Sequence, residues 1–292
     1  MADVIVVSDV EGKTVGDFVQ RGIEKAGHTC KCYYSRTNPT GFHNPNGVFG
    51  LDNVPSSDML IIFGTPAFAE LMKHGMPGTD DVRVVLTDSH YRVSAKAVNL
   101  ACKGSGFHVY AMPDLFMYRE RYATLPYYHP MEIGFTGQKD KGITVCHSPS
   151  RFEKMALKGT EQICKKVRTF PVRFQLVLYK MWEECLQIKA GSHIFIDQLI
   201  NDKDHYIGGV GKSGLEAMAL QCLTMTSGIP FESDCFPSPP VVWLKDYNDL
   251  GEKLKYYLDN PVERKKATSL QHLWAKQYLS LEFVGKHLTQ EL

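Results

Sequence analysis

No stretch of the 292 residues strings together the roughly 18 apolar residues that a membrane-crossing helix needs. Neither charge dominates: 33 Lys and Arg face 32 Asp and Glu, a net charge of +1. That balance excludes a chain that coats polyanions wholesale and leaves room only for a local basic groove. There is no low-complexity tract and no internal repeat. With 43% hydrophobic and 22% charged residues, disorder, collagen and coiled coil are excluded. The CxxC spacing of a zinc knuckle or a redox motif is missing, because the one close pair, Cys30-Lys31-Cys32, has a single residue between. The other cysteines stand singly among apolar residues and read as reduced, mostly buried thiols of a cytoplasmic protein. Met1–Val7 has no basic segment followed by a long apolar one, so it reads as a first strand and not as a signal peptide.

What is present is an alternation. Val4–Ser8 is a β-branched run of the kind that fully buried parallel strands show. A loop, Asp9–Thr14, leads to an amphipathic stretch over Val15–Ala26, and His28–Tyr34 reads as a second strand. Strands follow at Met59–Phe63, Arg83–Asp88 and Phe107–Met112, with helices expected over Ala67–His74 and His90–Lys103. Residues 113–140 interrupt the rhythm with aromatics and prolines. The alternation restarts with strands at Ile143–His147, within Pro171–Tyr179, and at His193–Asp197, Cys222–Thr226 and Val241–Leu244. Helices are expected between them over Gly159–Val167, Lys180–Ile188 and Ser213–Gln221. The tail from Leu250 to Leu292 reads as helical, broken at Asn260-Pro261. Strands alternating with helices imply parallel sheets covered on both faces. The fold class is therefore α/β, with two Rossmann-like βα domains, 1–138 and 139–292, and a cleft between them.

Ligands of such sheets bind beyond the carboxyl ends of the strands. Two segments carry chemistry there. In the first, Cys146–Thr160, a strand ends in His147-Ser148-Pro149-Ser150, and a loop with Arg151 and Lys158 opens a helix at Gly159-Thr160. Backbone amides at a helix start, joined by cationic side chains, suit a diphosphate. In the second, the Gly-rich run Gly208–Gly214 leads into a helix bearing Glu216. Such a loop lets amides approach phosphate or sugar closely, and Glu216 can accept both hydroxyls of a ribose diol; an ordinary helix-surface glutamate is the other reading. The run is not a P-loop, since GxxxxGK[ST] is absent. A dehydrogenase would want GxGxxG after the first strand, where Ser8–Thr14 contains only Gly12. Asp80-Asp81 and Asp202-Lys203-Asp204 read as solvated loops.

Together and in this order, His147-Ser148-Pro149-Ser150, Lys158-Gly159-Thr160, Ile194-Phe195-Ile196-Asp197-Gln198 and Leu215-Glu216-Ala217-Met218-Ala219 resemble the C-terminal domain of retaining GT-B glycosyltransferases of the family 4 group. The likeness covers about residues 141–285, including the closing Leu258-Asp259-Asn260-Pro261 and Trp274; the first half matches only in its βα rhythm. The sequence departs from the pattern at Gly208, where the first acid of the E-x7-E pair would stand. The segment between Asp197 and Glu216 is longer than usual, and Cys222-Leu223-Thr224 replaces the common ending of the Glu-bearing helix.

The resemblance implies a hexosyl- or pentosyltransferase that moves a sugar from a UDP- or GDP-linked donor to a hydroxyl acceptor, with no metal or other cofactor. Glu216 would hold the ribose, and Arg151 and Lys158 would neutralise the departing diphosphate. Gly12, Ser148, Gly209, Val210, Gly211, Lys212 and Ser213 would line the donor. His90 would orient the sugar or serve the acceptor, or be a satisfied surface histidine. Asp9 lies on the first loop, where it can touch the acceptor. Tyr118, Arg119 and Arg121 form an aromatic–basic stretch that can stack on bases or sugar faces, or simply pack between domains. The first domain would bind the acceptor and the second the nucleotide-sugar. The compact length is one associated with phage or viral enzymes, which act in the host cytoplasm on hydroxymethylated DNA bases that must be flipped out. The alternative is a non-catalytic nucleotide- or partner-binding module of the same fold.

Overall fold

The computed structural model describes residues 1–10, 17–36, 48–49, 51, 54–64, 67–68, 71, 77–79, 81–86, 107–111, 124–132, 137–139, 141–150, 155–156, 158–200, 209–228, 230, 233 and 236–290. Gly12, His90, Tyr118, Arg119, Arg121 and Arg151 lie outside the described residues, as do the expected helix over 90–103 and most of that over 67–74. Among the described residues the chain forms two compact units. One is Met1–Glu132 with Tyr278–Leu292, and the other is Ile133–Gln277.

The first unit holds strands β1 (Asp3–Val10), β2 (Thr29–Arg36), β3 (Val48–Phe49), β4 (Met59–Phe63), β5 (Asp81–Leu86), β6 (Phe107–Ala111) and β7 (Thr124–Pro126), in the order β3-β2-β1-β4-β5-β6-β7. Every pairing is parallel. Val4, Val6, Ile61 and Phe63 point into the same buried cluster as Val19 and Ile23, which lie on and just before helix α1 (Gln20–Lys25). β1 runs two residues further than its apolar stretch, so Asp9, expected in the following loop, lies within the strand. β7 falls inside the stretch that reads as an interruption, where three residues suffice to pair with Val109–Ala111.

The second unit holds β8 (Thr144–Ser150), β9 (Arg173–Leu178), β10 (Ile194–Ile196), β11 (Leu223–Ser227) and β12 (Val242–Leu244) in the order β12-β11-β10-β8-β9, again all parallel. Its helices are α2 (Thr160–Val167), α3 (Trp182–Ala190), α4 (Lys212–Ala219), α5 (Tyr247–Asp259) and α6 (Pro261–Tyr278). Alternate residues of each strand serve opposite faces. Val145, Ile194 and Ile196 pack with Ile163, Val167, Leu250 and Leu254, whereas Cys146, Val177 and Phe195 pack with Leu186, Ala190 and Ala217. Both faces are covered, and the inner strand β10 and the short β12 are apolar throughout, whereas β9 (RFQLVL) at the edge and β11 (LTMTS) alternate apolar with polar residues. The chain leaves β8 for β9 on one side, then returns past it to β10 on the other. The topological switch therefore falls between β8 and β10, the place where open α/β sheets bind ligands.

The tail breaks where Asn260-Pro261 stands, and again before α7 (Leu281–Thr289), whose N-cap Ser280 accepts the Phe283 amide at 3.2 Å. The expectation of a single cut at 138/139 counted this last helix with the second domain, but it belongs to the first unit. Arg83, buried on β5 and paired with Asp81, donates to the carbonyls of Leu288 (2.6 Å) and Gln290 (2.7 Å) at the helix's negative end. α7 meets α1 through glycine: a Cβ on Gly285 would lie 2.0 Å from the Gly22 carbonyl oxygen. Gly285→Ala is therefore expected to lose about 1–3 kcal/mol in urea unfolding by forcing the helices apart; an unchanged midpoint would show that the contact is slack.

Candidate active site

The site is built from the carboxyl ends of β8 and β10 and the helix starts beside them. His147 on β8 pairs in register with Ile196 on β10. Its ring is buried, with Nδ1 2.7 Å from the Ile196 carbonyl oxygen and Nε2 2.8 Å from Thr160 Oγ1. A carbonyl can only accept, so Nδ1 carries the proton and Nε2 accepts from the threonine hydroxyl. Burial holds the imidazole neutral, its pKa pushed down to about 4. The His-Ser-Pro-Ser motif thereby fastens the first residue of α2 to the sheet, and Ser148 beside it is buried.

Just before α2, Gly159 has φ +64°, and a Cβ there would sit 1.9 Å from the Leu199 carbonyl oxygen. Only glycine meets both demands. The close approach lets the Leu199 amide donate to the Lys158 carbonyl at 3.0 Å, so the Lys158 turn lies against the chain that leaves β10. Lys158 Nζ donates to Asp197 Oδ1 at 2.7 Å, and Asp197 Oδ2 accepts the Gly211 amide at 2.7 Å. Asp197 is fully buried. Burial alone would raise its pKa; the Lys158 charge and hydrogen bond, with the Gly211 amide, outweigh that and hold the carboxyl below its ordinary range.

Gly211 opens α4, on which Glu216 lies. Trp182 Nε1 donates to Glu216 Oε1 at 2.9 Å, and Lys189 Nζ to Oε2 at 2.5 Å. Both partners come from α3, and Lys189, with its charge 5.3 Å from the Phe195 ring centre, is itself buried. Here too burial pushes the carboxyl up, and the charges of Lys189 and Lys212, with the two hydrogen bonds, bring it below its ordinary value. Glu216 is thus a fixed anion and not a loose helix-surface residue. It stands five residues after Gly211, roughly 7–8 Å along the helix axis.

The structure brings Lys158 and Gly211 together, through Asp197, and sets Glu216 further along the same helix. Two expectations about the Gly-rich run change. The Gly211 amide, expected to face a diphosphate, is given to Asp197. Lys212, expected in the loop just before the helix, joins Ser213 in the first turn of α4. Val210 is buried, and the Gly209 carbonyl accepts from Gln198 Nε2 at 3.3 Å, so this stretch is clamped onto the protein. Sequence reasoning missed the partners Asp197, Lys189 and Trp182 as members of the cluster. Asp197 carried a signal, a carboxylate ending an apolar strand; Lys189 carried none, standing one residue past the helix expected over Lys180–Ile188. Among the described residues, no group of three or more His, Cys, Asp or Glu side chains is placed to hold a metal ion. No described helix is long and apolar enough to cross a membrane.

No family model and no curated protein sequence matches the chain. Solved structures do. HepE of Anabaena, in complex with UDP and glucose, superposes with a TM-score of 0.70 at 12% identity, covering 98% of each chain. Sucrose-phosphate synthase of Thermosynechococcus elongatus gives 0.69 at 10%, over 98% of this chain and 97% of the other. An alpha-glucosyltransferase in complex with UDP and a 13-mer DNA containing an HMU base gives 0.65 at 14%, over 99% and 100%. The fold is GT-B. In GT-B terms the polar cluster belongs to the second Rossmann-like unit, at its switch point, and the neighbours sharing the fold are glycosyltransferases.

His147 gives the cluster a pH signature. The unfolded chain takes up a proton near the ordinary histidine value of about 6.5, the folded chain only near 4. Between those values the unfolded state binds more protons, so stability falls as pH falls through that window, by up to roughly 3 kcal/mol. His147→Asn keeps an amide donor for the Ile196 carbonyl but cannot titrate. Urea midpoints measured from pH 7 to pH 4 are expected to fall less steeply for the variant; equal slopes would contradict a buried neutral His147.

Proposed function

We propose that this chain is a retaining glycosyltransferase that takes its sugar from a nucleoside-diphosphate donor bound by the second unit. The observation that carries this reading is Glu216, a buried carboxylate fixed by Trp182 and Lys189 on α4, the helix whose start is tied to Lys158. Among the described residues each Glu216 oxygen meets one donor, and a carboxylate oxygen has a second lone-pair direction, so the pair can accept the two hydroxyls of a ribose. When the anomeric C–O bond breaks, negative charge gathers on the diphosphate. Lys158 and the positive end of α4 are fixed charges that meet it without reorganising, which lowers the barrier without a metal. In the retaining reaction the acceptor oxygen bonds to the anomeric carbon on the face the diphosphate leaves. Arg151 and the Lys212–Ser213 turn complete the donor side in this reading, with Ser148, Gly209 and Val210 shaping its floor. Gly12 is assigned to the donor, and His90 to the sugar or the acceptor, only by the family resemblance.

UDP is the nucleotide the reading favours, since HepE and the alpha-glucosyltransferase are both seen with it. For the acceptor we propose a hydroxymethylated DNA base. Its supports are the neighbour held with DNA and the 118–122 stretch, where Tyr118 and Tyr122 flank Arg119 and Arg121, aromatic and guanidinium groups of the kind that stack on an extruded base. Asp9 joins this side.

UDP release from UDP-glucose, with GDP-linked sugars in parallel, tests the donor assignment. Turnover is expected with one nucleotide, and Glu216→Gln is expected to lower kcat/KM about 10- to 100-fold, as loss of charge-assisted hydrogen bonds does. Binding of UDP with no turnover under any acceptor would favour the non-catalytic module, and no binding of any nucleoside diphosphate would overturn the proposal. The acceptor assignment has its own check. A mobility shift on DNA carrying hydroxymethyluracil is expected to weaken steeply with salt and to be lost when Arg119 and Arg121 are both changed to Ala; a shift indifferent to both would remove DNA as the acceptor.

A further inference from the structure

The run Ile194-Phe195-Ile196-Asp197-Gln198 ends in a buried carboxylate that the donor assignment leaves without a role. Its two oxygens have different partners from different loops. Oδ1 takes Lys158 Nζ, from the turn that opens α2; Oδ2 takes the Gly211 amide, which opens α4. The packing around it is built to this carboxylate. A Cβ on Gly211 would lie 2.9 Å from Oδ2, and one on Gly214 would lie 3.1 Å from the same oxygen and 2.7 Å from Val210 Cγ1. Two of the glycines in the Gly-rich run therefore make room for Asp197 and not for a ligand.

We infer that Asp197 is a positioning residue: it holds Lys158 aimed at the donor's diphosphate and locks the start of α4 to the same point. The inference rests on the reading of this unit as the donor site and goes beyond it, because neither the motif nor the ribose-and-diphosphate scheme gives Asp197 a task. Lysine is a flexible four-carbon stem with three N–H groups and many rotamers. One N–H is spent on Oδ1, and a longer contact of 3.5 Å reaches the Asp197 carbonyl oxygen. The side chain keeps about 15% of its surface exposed, and the charge on that open side is held in place before any donor arrives. A cation fixed in advance stabilises developing charge without reorganising. The task needs a carboxylate. An asparagine would offer one oxygen and one NH2, so either Lys158 or the Gly211 amide would face a donor instead of an acceptor. Asp197 touches no reacting atom in this scheme and acts through Lys158.

A double-mutant cycle on the full chain tests it, reading kcat and KM for UDP-glucose (or whichever nucleotide-sugar the wild type turns over), UDP affinity by calorimetry, and the melting temperature. Asp197→Asn is expected to lower kcat/KM about 30-fold, chiefly in kcat, and Lys158→Met at least as much. In the Lys158→Met background, Asp197→Asn is expected to cost no more than about threefold further, because the residue it acts through is gone. If the two losses multiply in full, or if Asp197→Asn keeps wild-type kcat/KM, the inference is overturned and the carboxylate is a structural cap. Should Asp197→Asn fail to fold, Gly211→Ala takes its place in the cycle: its methyl presses on Oδ2 and displaces the carboxylate without removing it, and the same non-additivity with Lys158→Met is expected. The donor assignment fails separately: a wild-type chain that neither binds nor turns over any nucleoside diphosphate, while melting cooperatively, takes that reading away and this one with it.

Discussion

An ionised carboxylate deep in a protein must be met by charge or by hydrogen-bond donors, or it will not stay ionised. Among the described residues the second unit contains two, Asp197 and Glu216, and much of its local sequence is explained by what they require. Each draws in a lysine and an N–H donor: Lys158 and the Gly211 amide for one, Lys189 and the Trp182 indole for the other. Leaving one partner out would strand a buried charge, typically at a cost of several kcal/mol. The geometry is therefore strongly coupled. Gly159 lets the Lys158 turn lie against Leu199, and Gly211 and Gly214 give Asp197 its space.

The cluster's place follows from topology. In a parallel sheet with the strand order β12-β11-β10-β8-β9 the order reverses between β8 and β10, so the helices that follow these two strands pack on opposite faces, and the space beyond the strands' carboxyl ends is where such sheets bind ligands. Apolar residues of the strands fill both faces with core, and the polar end of β8 and Asp197, just after β10, come to that space. His147, neutral and doubly bonded, closes the base of it by tying α2 to β10. In the proposed reading this arrangement supplies a fixed anion for the ribose hydroxyls and fixed positive charge for a departing diphosphate.

The fold class was legible because short apolar runs such as Val4–Ser8, Met59–Phe63 and His193–Asp197 recur between segments of helical spacing. Pro261 marked its helix boundary because proline lacks the N–H that a helix interior uses. The short strands β3 and β7 were not legible: two or three residues such as Val48-Phe49 or Thr124–Pro126 carry no period, and only their neighbours' edges make them strands. The return of α7 to the first unit was hidden for a related reason. It depends on the fit of Gly285 to Gly22 and on the long reach of Arg83, contacts that sequence distance conceals. At the site, residue types that carry chemistry in themselves, Lys158 and Glu216, stood out. Asp197 and Lys189, whose meaning lies in their partners, did not. The Gly-rich run misled in one respect: glycines that admit a carboxylate look the same in sequence as glycines that admit a phosphate.

The central claim is that this cluster grips a nucleoside diphosphate. A crystal structure of the chain soaked with UDP tests it directly. The account expects the ribose hydroxyls on Glu216 and the diphosphate within hydrogen-bonding distance of Lys158 at the start of α4, with the Lys158–Asp197 contact retained. UDP bound elsewhere, or absent at saturating concentration while the Glu216–Lys189–Trp182 cluster stays closed, would contradict it.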